Sequence, residues 1–388
     1  MFLKATEHRN PKLIDFAVQL HQEGKILPDT FVLDLDSIIG NAKKISEVAL
    51  EKNIELFFMA KQIGRNPLIA KKISEQAIEK AVVVDYKEAL VMMNANIPLG
   101  NVGHLVQIPS QLLKQIMTYG ADYLTVFSMD KIKQIIEIAK QENIVQKLLL
   151  KVVEPSDWIY EGQNGGFRLS ELHDVVALLK NESSVKIAGI TSFPCFLIDD
   201  NQELSSTHNL RTLLAAKKIL EEEGLSDIEM NMPSATCAWT ISAISEFGGT
   251  QGEPGHALTG TTPMHAVREL AEIPAMVYVS EISHNMKDKS YIFGGGYYRR
   301  GHFENVKVFQ NGMIEDDRIN SLSPESIDYY IELNKNHPVG STVIGAFRTQ
   351  IFVTRSDVAI VEGLHNGAPR LVGIYDSLGN RIGDDRLG

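Results

Sequence analysis

Cysteine is almost missing: Cys195 and Cys237 are the only two in 388 residues. Two cysteines cannot make a disulfide framework, and neither stands in a CxxC or zinc spacing, which fits a reducing cytosol. No basic run occurs and no aromatic residues interleave with basic ones. Acidic residues outnumber basic ones by 49 to 38, for a net charge of −11, so nothing in the charge pattern points to a nucleic-acid partner. No apolar stretch reaches the length of a membrane span. The first ten residues are polar and carry no signal-peptide pattern, so the expected location is cytoplasmic, away from membranes. HExxH, Walker A and EF-hand patterns are absent, and no metal site is expected. What is present is ordinary for a globular protein, 44% apolar and 22% charged. The length suggests two domains.

An alternation starts after residue 28. Apolar runs begin at Phe31, Leu56, Ala81, Val102, Tyr123, Leu148, Val185 and Ile228, each followed by a helical pattern. The runs lack the polar alternation of a one-sided sheet, as expected for parallel strands buried on both faces. Eight such units predict an α/β fold of the (β/α)8 TIM-barrel type over residues 29–262. A doubly wound open sheet is the alternative, but no Gly-rich dinucleotide fingerprint follows the first run. Beyond Pro263, short Val/Ile/Tyr-rich runs between Gly, Asn and Asp turns predict a C-terminal, mainly β domain over 263–388. Residues 1–28, with one helix near Pro11–Gly24, are expected to pack with that domain.

The run Leu56-Phe57-Phe58-Met59-Ala60 ends in a single lysine, Lys61, and the chain then turns through Gly64, Asn66 and Pro67. A lysine at the end of a buried strand is costly unless its amine is paired, neutralised or used. Desolvation makes the free amine available for a Schiff base, whereas a snorkelling stem with its charge in water is the plainer alternative. The last barrel unit leaves through Pro233-Ser234-Ala235-Thr236, where the hydroxyls either cap a following helix or hold a phosphate. Gly248–His256 then packs four glycines into eight positions around Glu253, implying a tight loop or a backbone close to a ligand. Glu253 itself reads equally as a surface carboxylate.

These residues resemble the fold-type III enzymes that use pyridoxal 5'-phosphate (PLP), the alanine racemase and group IV decarboxylase class, and most closely its YhfX-like branch. The likeness is good over about Phe31–Pro263 and only in outline beyond. It implies an alanine racemase-like fold in which Lys61 forms the Schiff base with PLP. It implies that Ser234, Thr236, Gly252, Gly255 and His256 serve the cofactor, with Glu253 as partner of the pyridine nitrogen. A carboxylate there resembles the decarboxylases, since the racemases carry arginine. Yet no cysteine follows Cys237 to act as the decarboxylases' catalytic thiol, and Phe193-Pro194 stands where the family usually has histidine.

In the β domain, the resemblance makes Tyr297, Tyr298 and His302 candidates for a second acid/base, supplied by a partner subunit. A glycine turn with packing aromatics is the plainer reading. Arg348 and Arg355 suit a substrate carboxylate, or are ordinary surface arginines. The expectation is a homodimer with shared active sites acting on a small-molecule amino acid. Racemisation comes first, decarboxylation second, and a non-catalytic PLP-binding protein or a PLP-free lysine aldolase are the rival classes.

Overall fold

Parallel strands that are apolar on both faces need cover on both, and a closed ring with outer helices provides it. In the computed structural model, which describes residues 2–199 and 201–384, eight parallel strands close such a barrel. They are Glu55–Met59, Lys80–Val83, Leu99–Val102, Tyr123–Val126, Gln146–Lys151, Val185–Thr191, Glu229–Asn231 and Gln251–Gly252. The final two-residue strand closes the ring, pairing Gln251 with both Asn231 and Glu55. The helices are set by local chemistry. Ser128 caps Met129–Glu142 by accepting the Lys131 amide at 3.3 Å, and Ile132, Ile135 and Ala139 recur on its buried face. Asp85 accepts the Glu88 amide at 2.8 Å while the Glu88 carboxylate returns to the Val84 amide at 2.9 Å. Together these bonds start helix Tyr86–Asn94.

The barrel belongs to a unit made of residues 43–60 and 70–255; the other unit takes the chain up to Ala42, Lys61–Ile69 and His256 onward. The expected ends of the two domains, residue 1 and residues 385–388, lie outside the described residues. The second unit is built on a ten-stranded sheet. At its centre is Thr30–Asp34, antiparallel to Met276–Met286 and parallel to Asp357–Glu362. One face of this sheet carries Val32, Val277, Val279, Ile344 and Val361. They share a core with Phe2, Leu3, Leu13, Phe16 and Leu20 of helices Phe2–Arg9 and Pro11–Gln22. The other face stacks Phe31, Tyr278, Phe303 and Phe347, with the last two rings 4.2 Å apart.

Two expectations are corrected here. The run at Phe31 is not the first barrel strand but the middle of the second sheet. All five residues of Thr30–Asp34 are buried, and a strand buried on both faces reads the same in either sheet. The barrel's eighth strand is instead Gln251–Gly252, too short to show a period and hidden in a glycine-rich stretch expected to be a loop. The β-domain runs appear as strands Met276–Met286, Lys289–Phe293, Asn305–Gln310, Thr342–Gly345, Asp357–Glu362 and Arg370–Tyr375, joined by strands Met313–Arg318, Tyr330–Glu332 and Arg381–Gly383. No helix among the described residues is long and apolar enough to cross a membrane.

Candidate active site

A parallel barrel brings all its strands' carboxyl ends to one rim, where polar side chains converge without disturbing the apolar layers beneath. Glu253 follows the last barrel strand by one residue and is 3% exposed. Its Oε1 accepts hydrogen bonds from Asn101 Nδ2 at 2.9 Å and Asn231 Nδ2 at 3.0 Å. Thr125 donates to Asn101 Oδ1 at 2.7 Å, and Thr191 to Asn231 Oδ1 at 2.8 Å. Two asparagines thus meet on one carboxylate, each backed by a threonine from a neighbouring strand, and all five side chains are buried. The other oxygen, Oε2, lies 3.8 Å from His104 Nε2. His104 begins a row of rings: Phe193 at 5.7 Å, then Tyr160 at 5.8 Å, then Trp158 at 4.1 Å.

Ser234 and Thr236 sit beside this carboxylate but in other bonds. Thr236 Oγ1 donates to the Pro233 carbonyl at 3.1 Å and accepts the Glu253 amide at 3.0 Å. Ser234 Oγ accepts the Phe196 amide at 2.9 Å. The turn carrying them bends at Ala235, with φ +57°, and runs into no long helix. The only helix there is the six-residue Ile241–Glu246, so the expected helix N-terminus is missing. Gly252 packs closely, since a Cβ on it would lie 3.0 Å from the Thr236 methyl. Gly255 is buried behind Pro254, whose carbonyl accepts the Met59 amide at 2.9 Å.

The barrel also holds a lysine that the sequence reading passed over. Lys151 ends strand Gln146–Lys151 and is 6% exposed. Its Nζ donates to the Gln163 carbonyl at 3.2 Å and stands 4.4 Å from the Phe127 ring, and burial lowers its pKa to about 8.

Lys61 opens the short turn Lys61–Ile63 two residues after strand Glu55–Met59, and it is 9% exposed. Gly64 and Arg65 follow with φ of +65° and +53°. A Cβ on Gly64 would press on Ile351 and Val358 at 3.0 and 3.2 Å, so the turn docks tightly in its own unit. Arg65, also not anticipated, is buried with its guanidinium 4.9 Å from the Phe352 ring.

His256 shares that unit. Both its ring nitrogens are buried with no hydrogen-bond partner among the described residues. Burial first, and then the positive charges of Arg348, Lys61 and Arg300, hold its pKa well below the usual 6.5, so the imidazole is neutral. Arg348 and the turn ending at Gly301 are joined by a 3.1 Å bond from the Arg348 amide to the Gly301 carbonyl.

The other candidates spread along this turn. Tyr297 and Tyr298 are half-buried, whereas His302 is exposed with φ +54°. Asp328 Oδ2 accepts the amides of Gly295 and Tyr297, both at 3.0 Å, and so fixes the start of the turn. Arg355, paired with Arg348 in expectation, is occupied elsewhere. It donates to Asp328 Oδ1 at 2.9 Å and stands 5.8 Å from the Tyr329 ring.

The description of the alanine racemase N-terminal domain matches residues 33–263, and that of the YhfX-like C-terminal domain matches 277–371. Over 386 residues the chain is 44% identical to uncharacterized protein YhfX of Escherichia coli (strain K12), covering 99% of this chain and 100% of that one. Alanine racemase of Clostridium difficile 630 superposes with a TM-score of 0.64 at 17% identity, covering 91% of this chain and 99% of the other. D-threonine aldolase from Filomicrobium marinum superposes with 0.65 at 15%, covering 90% and 95%. Identities that low establish the fold alone.

Alanine racemase-like proteins bind PLP. That molecule asks for an amine, a partner for its ring nitrogen and polar groups for its phosphate. Groups of these kinds are present in each unit: the barrel unit has the buried amine of Lys151 and the buried carboxylate of Glu253, and the other has the buried amine of Lys61 and the two buried nitrogens of His256 among cationic neighbours. By a match over most of its barrel sequence and by its identity to a full-length relative, the chain belongs to the alanine racemase-like family, in its YhfX-like branch.

Proposed function

We propose that the chain is a cytoplasmic, PLP-dependent enzyme that racemises an amino acid, working as a homodimer with shared sites. The observation that carries this reading is Glu253, a buried barrel-rim carboxylate with two amide donors on one oxygen. A buried carboxylate of that kind suits the protonated pyridine nitrogen of the cofactor. Bound there, the cofactor supplies an electron sink for charge developing at the amino acid's Cα.

The chain's own residues do the rest. Lys61 would hold the cofactor through its amine and carry the Cα proton on one face. Tyr297, Tyr298 or His302 of the partner subunit delivers a proton to the opposite face. His256 and the backbone at Gly252 and Gly255 hold the phosphate. Ser234 and Thr236 contribute through the turn they brace. Arg348 takes the substrate carboxylate, and Arg355, committed to Asp328, only shapes the turn. Decarboxylation is the second reading, favoured by Glu253, because a protonated ring stabilises a carbanion more strongly than the racemases' arginine allows.

The test is borohydride reduction of the PLP-loaded protein followed by peptide mapping, together with single amino acids in deuterated water. The expected results are an adduct on Lys61 and deuterium at Cα with loss of chirality. An adduct on Lys151, or a protein that takes up no PLP, overturns the site. Carbon dioxide release without inversion moves the reaction to decarboxylation.

A further inference from the structure

We infer that Lys151 is an anion-binding residue inside the barrel and that it recognises an acidic side chain, which makes the substrate a dicarboxylic amino acid. The anion site stands on the barrel's own geometry; its use for a substrate side chain rests on the function proposed above.

Register sets where Lys151 points. Asn101 and Asn231 leave opposite sides of the ring, so they meet on one Glu253 oxygen only through its interior. Thr125 and Thr191, bonded to those asparagines, point inward as well. Lys151 pairs with Thr191 on the next strand, and Leu149, two residues earlier, pairs with Thr125 on the previous one. Paired residues of neighbouring strands share a face, and so do residues two apart on one strand. Lys151 therefore points into the barrel on the face that receives Glu253. The two leave the wall three strands apart, about 14 Å along it at the usual strand spacing.

The amine is under-used. An ammonium carries three N–H donors. Among the described residues Lys151 Nζ makes one hydrogen bond, to the neutral carbonyl of Gln163, and its other neighbour is the Phe127 ring. No carboxylate among the described residues pairs with it, and nothing offsets the fall in its pKa that burial causes. Gln163 also buries its side-chain oxygen without a partner among the described residues, a second polar group of the same loop left for a ligand. The loop is fixed in place. The Phe167 amide donates to the Lys151 carbonyl at 2.7 Å, and a Cβ on Gly166 would lie 2.8 Å from that same oxygen. An anionic oxygen would give this amine a charge-assisted bond, about twice as strong as one to a neutral carbonyl. In the function proposed above, the substrate's α-carboxylate goes to Arg348 and the cofactor phosphate to His256 and the backbone at Gly252 and Gly255. An amine left over inside the barrel reads a further anion, the carboxylate of the side chain.

The test titrates the PLP-loaded full chain with aspartate, glutamate, asparagine, glutamine and alanine, read by visible absorbance. One of the two acids is expected to bind about ten- to hundredfold more tightly than its own amide, the value of a hydrogen bond to a charged group. Lys151→Met should abolish that preference, whereas a role in packing alone would weaken all five and keep it. Equal affinity for acid and amide in the wild type, or a preference that survives in Lys151→Met, overturns the inference. If the variant does not fold, the wild-type comparison decides. Titration calorimetry of the PLP-free chain with glutarate and with inorganic phosphate separates the sources of the anion. Glutarate binding that Lys151→Met removes is expected. Phosphate binding that Lys151→Met removes, without glutarate binding, gives the amine to the cofactor and overturns the substrate class. A chain that takes up no PLP defeats the proposed function, and glutarate then decides the anion site by itself.

Discussion

Asp29 gives the sharpest test of stability. It sits in the second unit with φ +65°, its Oδ1 accepting from Tyr278 Oη at 3.0 Å and from Ser356 Oγ at 2.5 Å. Burial raises its pKa from 3.8 to about 7 against the help of those two hydroxyls; nearby Asp328 adds to the rise and Arg355 opposes it. The sign follows from proton counting. Between these values the folded chain keeps the proton and the unfolded chain has lost it, so stability falls as pH rises. The slope is about −1.4 kcal/mol per pH unit, and the loss reaches at most roughly 4 kcal/mol by pH 8. Asp29→Asn removes it. Asparagine tolerates a positive φ, and its side-chain oxygen can accept the same two hydroxyls. Urea unfolding of both proteins from pH 4 to pH 8 is the assay. The curves should coincide near pH 4 and separate as pH rises, with the variant the more stable. Parallel curves would mean that Asp29 is charged in the fold and that the argument is wrong.

Other outcomes follow from single contacts. Gly301→Ala puts a Cβ 2.4 Å from the Arg348 carbonyl, so it should cost about 1–3 kcal/mol in thermal melts and weaken amino-acid binding in titration calorimetry. Cys195 and Cys237 are buried and burial raises the Cys195 thiol pKa, so both should resist a thiol reagent in the folded protein and react fully in denaturant. Mixing Lys61→Ala subunits with subunits lacking the second acid among Tyr297, Tyr298 and His302 should restore about a quarter of wild-type activity at random assortment. Mixed dimers without activity would put that acid in the same chain as its lysine.

Much of the barrel was legible because seven of its strands lie in apolar runs and six of these lead into amphipathic helices. The eighth was not, because Gln251–Gly252 is held by its neighbours and not by its own pattern. Thr30–Asp34 misled for the opposite reason: its pattern is strong, but pattern does not name the partner strand. Lys61 and Glu253 stood out as charges at the ends of apolar or glycine-rich stretches. Lys151 ends the run Leu148-Leu149-Leu150 in the same way, so the signal was present and passed over. Asn101 and Asn231 gave a fainter sign, a lone amide in a short strand that must find a partner when buried. Their convergence on one carboxylate exists only after the ring closes.

The central place of Thr30–Asp34 in the second sheet has a consequence for synthesis. This strand leaves the ribosome early, yet both its neighbours, Met276–Met286 and Asp357–Glu362, are made only after the last barrel strand. Until then it is an apolar edge waiting for partners, the kind of nascent segment that chaperones cover. For the same reason a fragment beginning at Val277 would carry a sheet split down its middle. Adding the first 42 residues as a separate peptide should restore the missing strand, which makes the protein a natural candidate for fragment complementation.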